Sequence, residues 1–415
     1  MGWVTEYAPT DEELSACVQC GLCLPHCPTF RLSGKETASP RGRLMAMTAV
    51  AEGIAEIDHA FEEIIGSCLQ CRACEPVCPS MVPFGRAMEG TRAEIAVQRP
   101  KVARRLRHVV LGRSLTWQRP LRMAGRVGRR LRSGPARAMV PSALRPGLDG
   151  LRPDAGSASL PRGETYPATG ARVGRAALLA GCVMDSWFIA VHSATIGVLR
   201  HAGYDVTVPV HQTCCGALAA HDGATAETEQ MASANVAAFA SFDVLVTDAA
   251  GCGAHLKDYG HWAGAAGAEL ASRTFEVTQL IAQAIADGRL PEIPLPRGRV
   301  AVQDPCHNRH AQRIFEEPRQ VLRAAGYEPV DVDPAGLCCG AAGAYSVQYP
   351  EVSAELGRRK AAEVAAAATT VVASANPGCE MQLRGQLGSA YEVLHPVELY
   401  WEALLDHLRA SGSER

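Results

Sequence analysis

The 415-residue chain predicts a multidomain α + α/β protein, an α-helical N-terminal domain followed by two tandem α/β lobes with mainly parallel sheets. Three observations carry this prediction. Eight of the 16 cysteines fall in two copies of one spacing inside the first 78 residues, with helical rather than β patterning between them. The other eight recur as a tandem repeat, at an offset of 124 residues for two of its elements (182 to 306, 214 to 338). Each copy of that repeat alternates short apolar strands with helical stretches, the pattern of a parallel sheet.

The bulk composition agrees. A hydrophobic fraction of 47% and a charged fraction of 20% are those of a folded globular protein, and the length suits two or three domains. The first twelve residues carry Glu6, Asp11 and Glu12 and no apolar h-region, so no secretory signal is expected. No apolar run approaches the ~18 residues of a membrane span. Many cysteines without an export signal point to metal or redox chemistry rather than disulfides. The expected location is cytoplasmic, at most peripheral on the inner face of the cell membrane.

The first cysteine run is Cys17-Val-Gln-Cys20-Gly-Leu-Cys23-Leu-Pro-His-Cys27-Pro28, and the second is Cys68-Leu-Gln-Cys71-Arg-Ala-Cys74-Glu-Pro-Val-Cys78-Pro79. Each reads C-x2-C-x2-C-x3-C-P, the run that ligates [4Fe–4S] clusters in bacterial two-cluster proteins. A tight loop brings three thiolates to three corners of one cubane, and the fourth cysteine, a turn further on, faces the other cluster. The predicted ligands are Cys17, Cys20, Cys23 and Cys78 on cluster one, and Cys68, Cys71, Cys74 and Cys27 on cluster two. Two four-ligand zinc sites would also use eight cysteines, but the usual zinc layouts space cysteine pairs by a long loop. Between the runs, Pro40 to Met47 and Ile57 to Ile65 read as helices. That long helical insertion resembles the α-helical ferredoxin domain of succinate dehydrogenase and related iron–sulfur subunits.

From Ile95 to Leu148 the chain has no Asp or Glu, while residues 99–145 carry Lys101 and thirteen Arg, so the net charge of −2 hides two opposed regions. Val102, Leu106 and Val109, then Leu121, Ala124, Val127 and Leu131, recur at three- and four-residue steps, as amphipathic basic helices do. This segment reads either as a surface for anionic lipid or an acidic partner, or as an Arg-rich linker in a chain with only four Lys. Nucleic acid is not expected, since no reading module accompanies the charge. Leu151 to Arg172, rich in Pro, Gly and Ser, reads as a flexible tail.

The repeat places Cys182, then Cys214-Cys215-Gly216, then Cys252 in one copy, and Cys306, then Cys338-Cys339-Gly340, then Cys379 in the other. Strands are expected at Ala176–Ala180, Asp205–Val208, Asp243–Thr247, Arg299–Val302 and Thr370–Ala373, each running toward a cysteine. Open α/β sheets place their sites at such strand ends, and two facing lobes would bring both cysteine sets to a shared cleft. The expected division is 1–98, 99–172, 173–290 and 291–415.

This layout resembles the cysteine-rich CCG domain of heterodisulfide reductases, in which a closing C-x-x-C completes an iron–sulfur or zinc site. Here His255 and Gln382 stand where the last cysteine belongs, so each copy lacks its fifth cysteine. The resemblance implies a second metal or redox site, zinc or iron–sulfur, at Cys182, Cys214, Cys215, Cys252, Cys306, Cys338, Cys339 and Cys379. Packing of these thiols at a domain interface is the other reading. His211, His307 and His310 read as loop histidines.

No nucleophile–base pair, phosphate loop or G-x-G-x-x-G fingerprint appears, so no flavin, nicotinamide or substrate-oxidising site is expected on this chain. From about Ser15 to Leu404 it resembles the iron–sulfur subunit of glycolate oxidase. The matching segments are Cys17 to Pro28, Pro40-Arg41-Gly42-Arg43, Gly251 to Ala254 with Lys257 to Gly260, Pro305-Cys306 with His310-Ala311-Gln312, Leu337 to Gly343, and Asn376 to Cys379. The resemblance implies an electron-transfer subunit of a 2-hydroxy-acid dehydrogenase complex. It would carry two [4Fe–4S] clusters, flavoprotein partner subunits and a quinone or membrane electron acceptor, with peripheral membrane contact through residues 99–145. Lactate-utilisation, glycerol-3-phosphate dehydrogenase and heterodisulfide-reductase-like iron–sulfur proteins share the architecture. A zinc-binding scaffold is the alternative of a different class.

Overall fold

Local chemistry starts the N-terminal helices. Thr10 accepts from the Glu13 N–H while Glu13 reaches back to the Thr10 N–H, opening Asp11–Ser15. Ser39 accepts from the Gly42 N–H at 2.9 Å and opens Pro40–Ala51, with Pro40 at the first turn where its missing donor costs nothing. Asp58 caps His59–Gly66 in the same way. With Phe84–Gln98 these helices enclose Met47, Val50, Phe61, Ile65 and Met88, and Cys68 and Cys74 pack into that core. The structure is a computed structural model that describes residues 2–112, 117–132, 135–141, 145–334 and 336–412.

Two sheets follow. The first holds β1 (Thr165–Tyr166), β2 (Gly174–Leu178), β3 (Tyr204–Thr207), β4 (Val244–Thr247) and β5 (Thr274–Glu276) in the order β1-β3-β2-β4-β5. Only the β1–β3 pairing is antiparallel. The second holds β6 (Gly298–Gln303), β7 (Tyr327–Asp331), β8 (Val371–Ser374) and β9 (Glu392–Leu394) in the order β7-β6-β8-β9, all parallel. The orders β3-β2-β4-β5 and β7-β6-β8-β9 are the same, which is the tertiary counterpart of the cysteine repeat. The central strands carry unbroken apolar runs, Ala176-Ala177-Leu178 and Val300-Ala301-Val302, buried on both faces under helices. The fold is therefore multidomain α + α/β.

The basic segment forms helices Val102–Gly112 and Gln118–Arg132. Most of its described cations bond to other groups of the protein. Arg99, Lys101 and Arg104 gather around Glu62, and Arg107 and His108 hold Asp222. Arg122 donates to Ser159, and Arg126, Arg129 and Arg132 donate to the backbone carbonyls of Gly156, Pro153 and Leu151. The segment thus braces the N-terminal domain against the first lobe. Arg113 lies outside the described residues. No helix among the described residues is long and apolar enough to cross a membrane.

The expectation of a flexible tail at Leu151 to Arg172 fails over its first half, Leu151 to Leu160. Leu151, Ala155 and Leu160 are buried, and Arg152, 4% exposed, forms bidentate pairs with Glu380 and Glu398 of the second lobe at 2.6–2.7 Å. Its guanidinium also lies 4.9 Å over the Phe188 ring. Composition registered the Pro, Gly and Ser of this stretch but not the two acidic partners more than 200 residues away.

Candidate metal centre

The two N-terminal cysteine runs adopt the same strained loop. Gln19 and Gln70, each before the second cysteine, have φ of 55° and 52°, and Gly21 and Arg72, each after it, have φ of 81° and 59°. Non-glycine residues hold left-handed backbone only where surroundings over-determine it. In the second loop this turns the Gln70 N–H onto Cys68 Sγ at 3.4 Å.

The loops cross over. Cys17, Cys20, Cys23 and Cys78 line one pocket, and Cys27, Cys68, Cys71 and Cys74 line another. Pro40, Cys74 and Phe84 line both, so the two pockets share a wall. The first lies near the surface, with Cys20 exposed beside exposed Val18 and Leu22. The second is buried. Burial, and next the neighbouring Cys306, push the Cys71 thiol well up, and burial does the same to Cys74. Four converging thiols fit an electron-rich sulfur cluster far better than neutral thiols left dry.

Arg43 supports that fit. It is fully buried, and its guanidinium donates to Ile64 O, Ala38 O, Thr29 Oγ1 and Ser67 Oγ, with Nη1 3.9 Å from Cys27 Sγ. These four oxygens are all neutral, so the buried positive charge lacks a carboxylate among the described residues. A buried cation is tolerated when an anion faces it, and thiolates holding a cluster in this pocket would be that anion.

In the lobes, every cysteine set sits beyond the C-terminal ends of strands. Cys182 follows β2, Cys214 and Cys215 follow β3, and Cys252 follows β4; Cys306, Cys338 with Cys339, and Cys379 follow β6, β7 and β8 in turn. Cys182 and Cys214 Sγ lie 3.3 Å apart, Cys215 and Cys252 3.2 Å, and Cys339 and Cys379 3.1 Å. The glycine after each pair is required. Gly216 and Gly340 have φ of 93° and 89°, and a Cβ on Gly340 would stand 2.6 Å from Ser353 O. The Cys182 and Cys215 thiols beside Cys214 hold it well below the usual thiol range, and Cys338 and Cys379 do the same for Cys339.

The positions that lack a fifth cysteine differ between lobes. His255 is buried with Nε2 unpartnered, and that atom would lie 3.2 Å from a Cβ on Gly216, next to the cysteine pair. Burial lowers it to about 4, so it is neutral and able to ligate. Gln382 instead donates to Ser353 O at 2.9 Å. His307 and His310 bond the carbonyls of Gln70 and Gly336, as loop histidines do.

The two lobes meet through their cysteine loops. The Ala250 N–H donates to Ala375 O and the Gly251 N–H to Asn376 Oδ1. Cys306 and Cys338 pack with Leu69 and Cys71, which sets the second lobe's cysteines against the buried N-terminal pocket. The sequence did not single out Arg92, whose guanidinium joins Cys68 O and His221 O, or the Glu89–His221 pair at 2.8 Å. No periodicity marks residues whose partners lie more than 100 positions away.

A helical two-pocket cysteine domain joined to a duplicated parallel-sheet lobe with cysteines at its strand ends defines an iron–sulfur protein of the dicluster class. Family comparison agrees: residues 13–82 match the 4Fe-4S dicluster domain, and residues 176–257 and 300–384 each match the cysteine-rich domain. The chain is 35% identical to the probable glycolate oxidase iron-sulfur subunit of Bacillus subtilis (strain 168), over 94% of each chain. It is 30% identical to the glycolate oxidase iron-sulfur subunit of Escherichia coli (strain K12), over 95% of each. Lactate utilization protein A of Geobacillus kaustophilus (strain HTA426) is 28% identical over 54% of this chain. The chain belongs to the glycolate oxidase iron–sulfur subunit family.

Proposed function

We propose that this chain is the electron-carrying subunit of a complex that oxidises glycolate or a closely similar 2-hydroxy acid to the 2-oxo acid. A flavoprotein partner would perform the oxidation, and a quinone would be the final acceptor. Cys17, Cys20, Cys23 and Cys78 would hold one [4Fe–4S] cluster, and Cys27, Cys68, Cys71 and Cys74 the other. The observation that carries this reading is the pair of pockets lined by those crossed sets and sharing one wall. When bound, such clusters accept and pass single electrons, and contiguous sites keep the tunnelling distance short.

The direction of flow follows from exposure. Cys20 with Val18, Leu22 and Met81 presents an open, partly apolar surface at the first pocket, suited to the flavoprotein. The domain division 1–98, 99–172, 173–290 and 291–415 then separates electron entry, a bracing segment and the two cysteine-rich lobes. In the bracing segment Val102 (85% exposed), Leu106 and Val109 turn outward beside Arg105, so this edge is the proposed peripheral contact with an anionic membrane. The lobe cysteines form a second metal or redox site, with His255 completing the first set.

The test is anaerobic purification with iron and sulfide analysis and electron paramagnetic resonance of the dithionite-reduced protein. Two interacting S = 1/2 signals are expected. Zinc without iron, and no signal, would overturn the electron-carrier reading.

A further inference from the structure

A cavity of about 280 Å³ opens where the N-terminal domain, helix Val102–Gly112 and both lobes meet. Its inner wall includes Cys68 and Leu69, which also line the buried cysteine pocket, so the two spaces adjoin. Ile65, Ile95 and Leu218 add apolar surface, and Tyr345 stacks on Tyr349 with ring centroids 4.7 Å apart.

One polar group in this cavity has nothing to bond. Gln70, 2% exposed, leaves Nε2 without a hydrogen-bond partner. A buried donor of this kind is rare and costly unless a ligand or water satisfies it. The cations lining the cavity are already engaged: Lys101 and Arg104 with Glu62, Arg107 with Asp222, and Arg92 with the backbone carbonyls of Ile65, Gly66, Cys68 and His221. A free anion therefore meets cations whose side chains are already tied to carboxylates or backbone carbonyls, whereas a flat, neutral ligand with a carbonyl oxygen finds apolar walls, an aromatic pair and one waiting donor.

We infer that this cavity binds the head group of a quinone, with Gln70 Nε2 donating to a quinone carbonyl beside the cluster that Cys68 helps to hold. The inference rests on the electron-carrier reading above and adds the place where electrons leave. The balance is simple. Oxidation of the 2-hydroxy acid by the partner yields two electrons and two protons. The two electrons reach the quinone one at a time, and two protons taken from solvent complete the quinol. His221 lines the cavity, is partly open to solvent and bonds Glu89 at 2.8 Å, which gives a proton a path to the bound head. Helix Val102–Gly112 lines the cavity through Ala103, Arg104 and Arg107 and turns Val102, Leu106 and Val109 outward, so a single helix joins the cavity to the proposed membrane contact from which a lipid-soluble quinone would come.

The test uses the full-length, cluster-loaded chain and a water-soluble short-chain ubiquinone. Calorimetric titration without any electron donor reads binding, and anaerobic stopped-flow reads reoxidation of the dithionite-reduced protein by the quinone and, separately, by ferricyanide. Ala344→Trp fills the cavity from the second lobe and lies away from every proposed ligand. It should weaken quinone binding and slow quinone reoxidation by at least about tenfold, with ferricyanide reoxidation unchanged. Gln70→Leu at full iron content should weaken binding by about five- to tenfold. Ala103→Trp narrows the mouth from the opposite wall and gives the same reading should Ala344→Trp fail to fold. Wild-type quinone binding and reoxidation retained in the filled variants would overturn the proposed cavity while leaving the electron-carrier reading intact. Loss of ferricyanide reoxidation in the wild type would instead overturn that reading.

Discussion

Arg43→Met tests the charge environment of the buried cysteine pocket. The guanidinium Nη1 lies 3.9 Å from Cys27 Sγ and has only neutral oxygens as hydrogen-bond acceptors. Two unit charges ~4 Å apart in an effective dielectric of ~20 interact by about 4 kcal/mol. An added electron is spread over a whole cluster, so about half of that, ~2 kcal/mol, acts on the reduction step. At about 59 mV per factor of ten for one electron, this corresponds to ~90 mV. Arg43→Met should therefore lower the potential of the cluster at Cys27, Cys68, Cys71 and Cys74 by about 50–100 mV. Arg43→Lys, which keeps the charge and loses the fork, should recover most of the shift. Ala38 O and Ile64 O keep Thr29 Oγ1 and Ser67 Oγ as donors, so losing the fork's own bonds in Arg43→Met should cost about 1–2 kcal/mol of stability. A redox titration followed by electron paramagnetic resonance, with iron content measured on the same sample, reads the shift directly. An unshifted potential at full cluster content in Arg43→Met would refute the reasoning, because the buried charge would then be neutralised by something other than the cluster.

The crossover makes a further prediction: Cys27→Ser should remove the signal of the cluster held by the second run, and Cys20→Ser that of the first. Each should cut iron from ~8 to ~4 per chain; identical residual spectra for the two variants would show that the runs do not exchange their fourth ligands. Arg152→Leu leaves Glu380 and Glu398 buried against each other and should cost about 3–5 kcal/mol in denaturant unfolding. The pH sign follows from Glu398, which burial pushes up but Arg152 and the His395 N–H hold below its ordinary range. Its contribution in the wild type is present above the unfolded carboxylate value and is lost as pH falls. Without Arg152 both folded-state values rise, so the variant's deficit should be largest above pH ~7 and shrink toward pH ~5; a pH-independent deficit would contradict the pairing. Arg105→Gln with Arg130→Gln removes two exposed charges of the bracing segment and should weaken binding to phosphatidylserine vesicles by about tenfold or more. Unchanged vesicle flotation would rule that surface out as the lipid contact.

The sequence alone determined everything that depends on neighbours along the chain. Ligand spacing is such a property, because a C-x2-C-x2-C loop converges on one point through its own backbone. So are the caps at Thr10, Ser39 and Asp58, the apolar strands, and the duplication, whose 124-residue offset appears as one strand order in both sheets. The family was legible for the same reason: its motifs are local. Tertiary structure decided what spans domains. It tied Arg99, Arg104, Arg107, Arg126, Arg129 and Arg132 to Glu62, Asp222 and backbone carbonyls, made Leu151 to Leu160 a packed segment through Arg152, left His255 unpartnered beside the cysteine pair while occupying Gln382, and enclosed Gln70, His221 and Tyr345 around one cavity. None of these pairings is periodic or near in sequence. Each exists because a buried charge or donor must find its partner wherever packing brings one, and packing is a property of the whole chain.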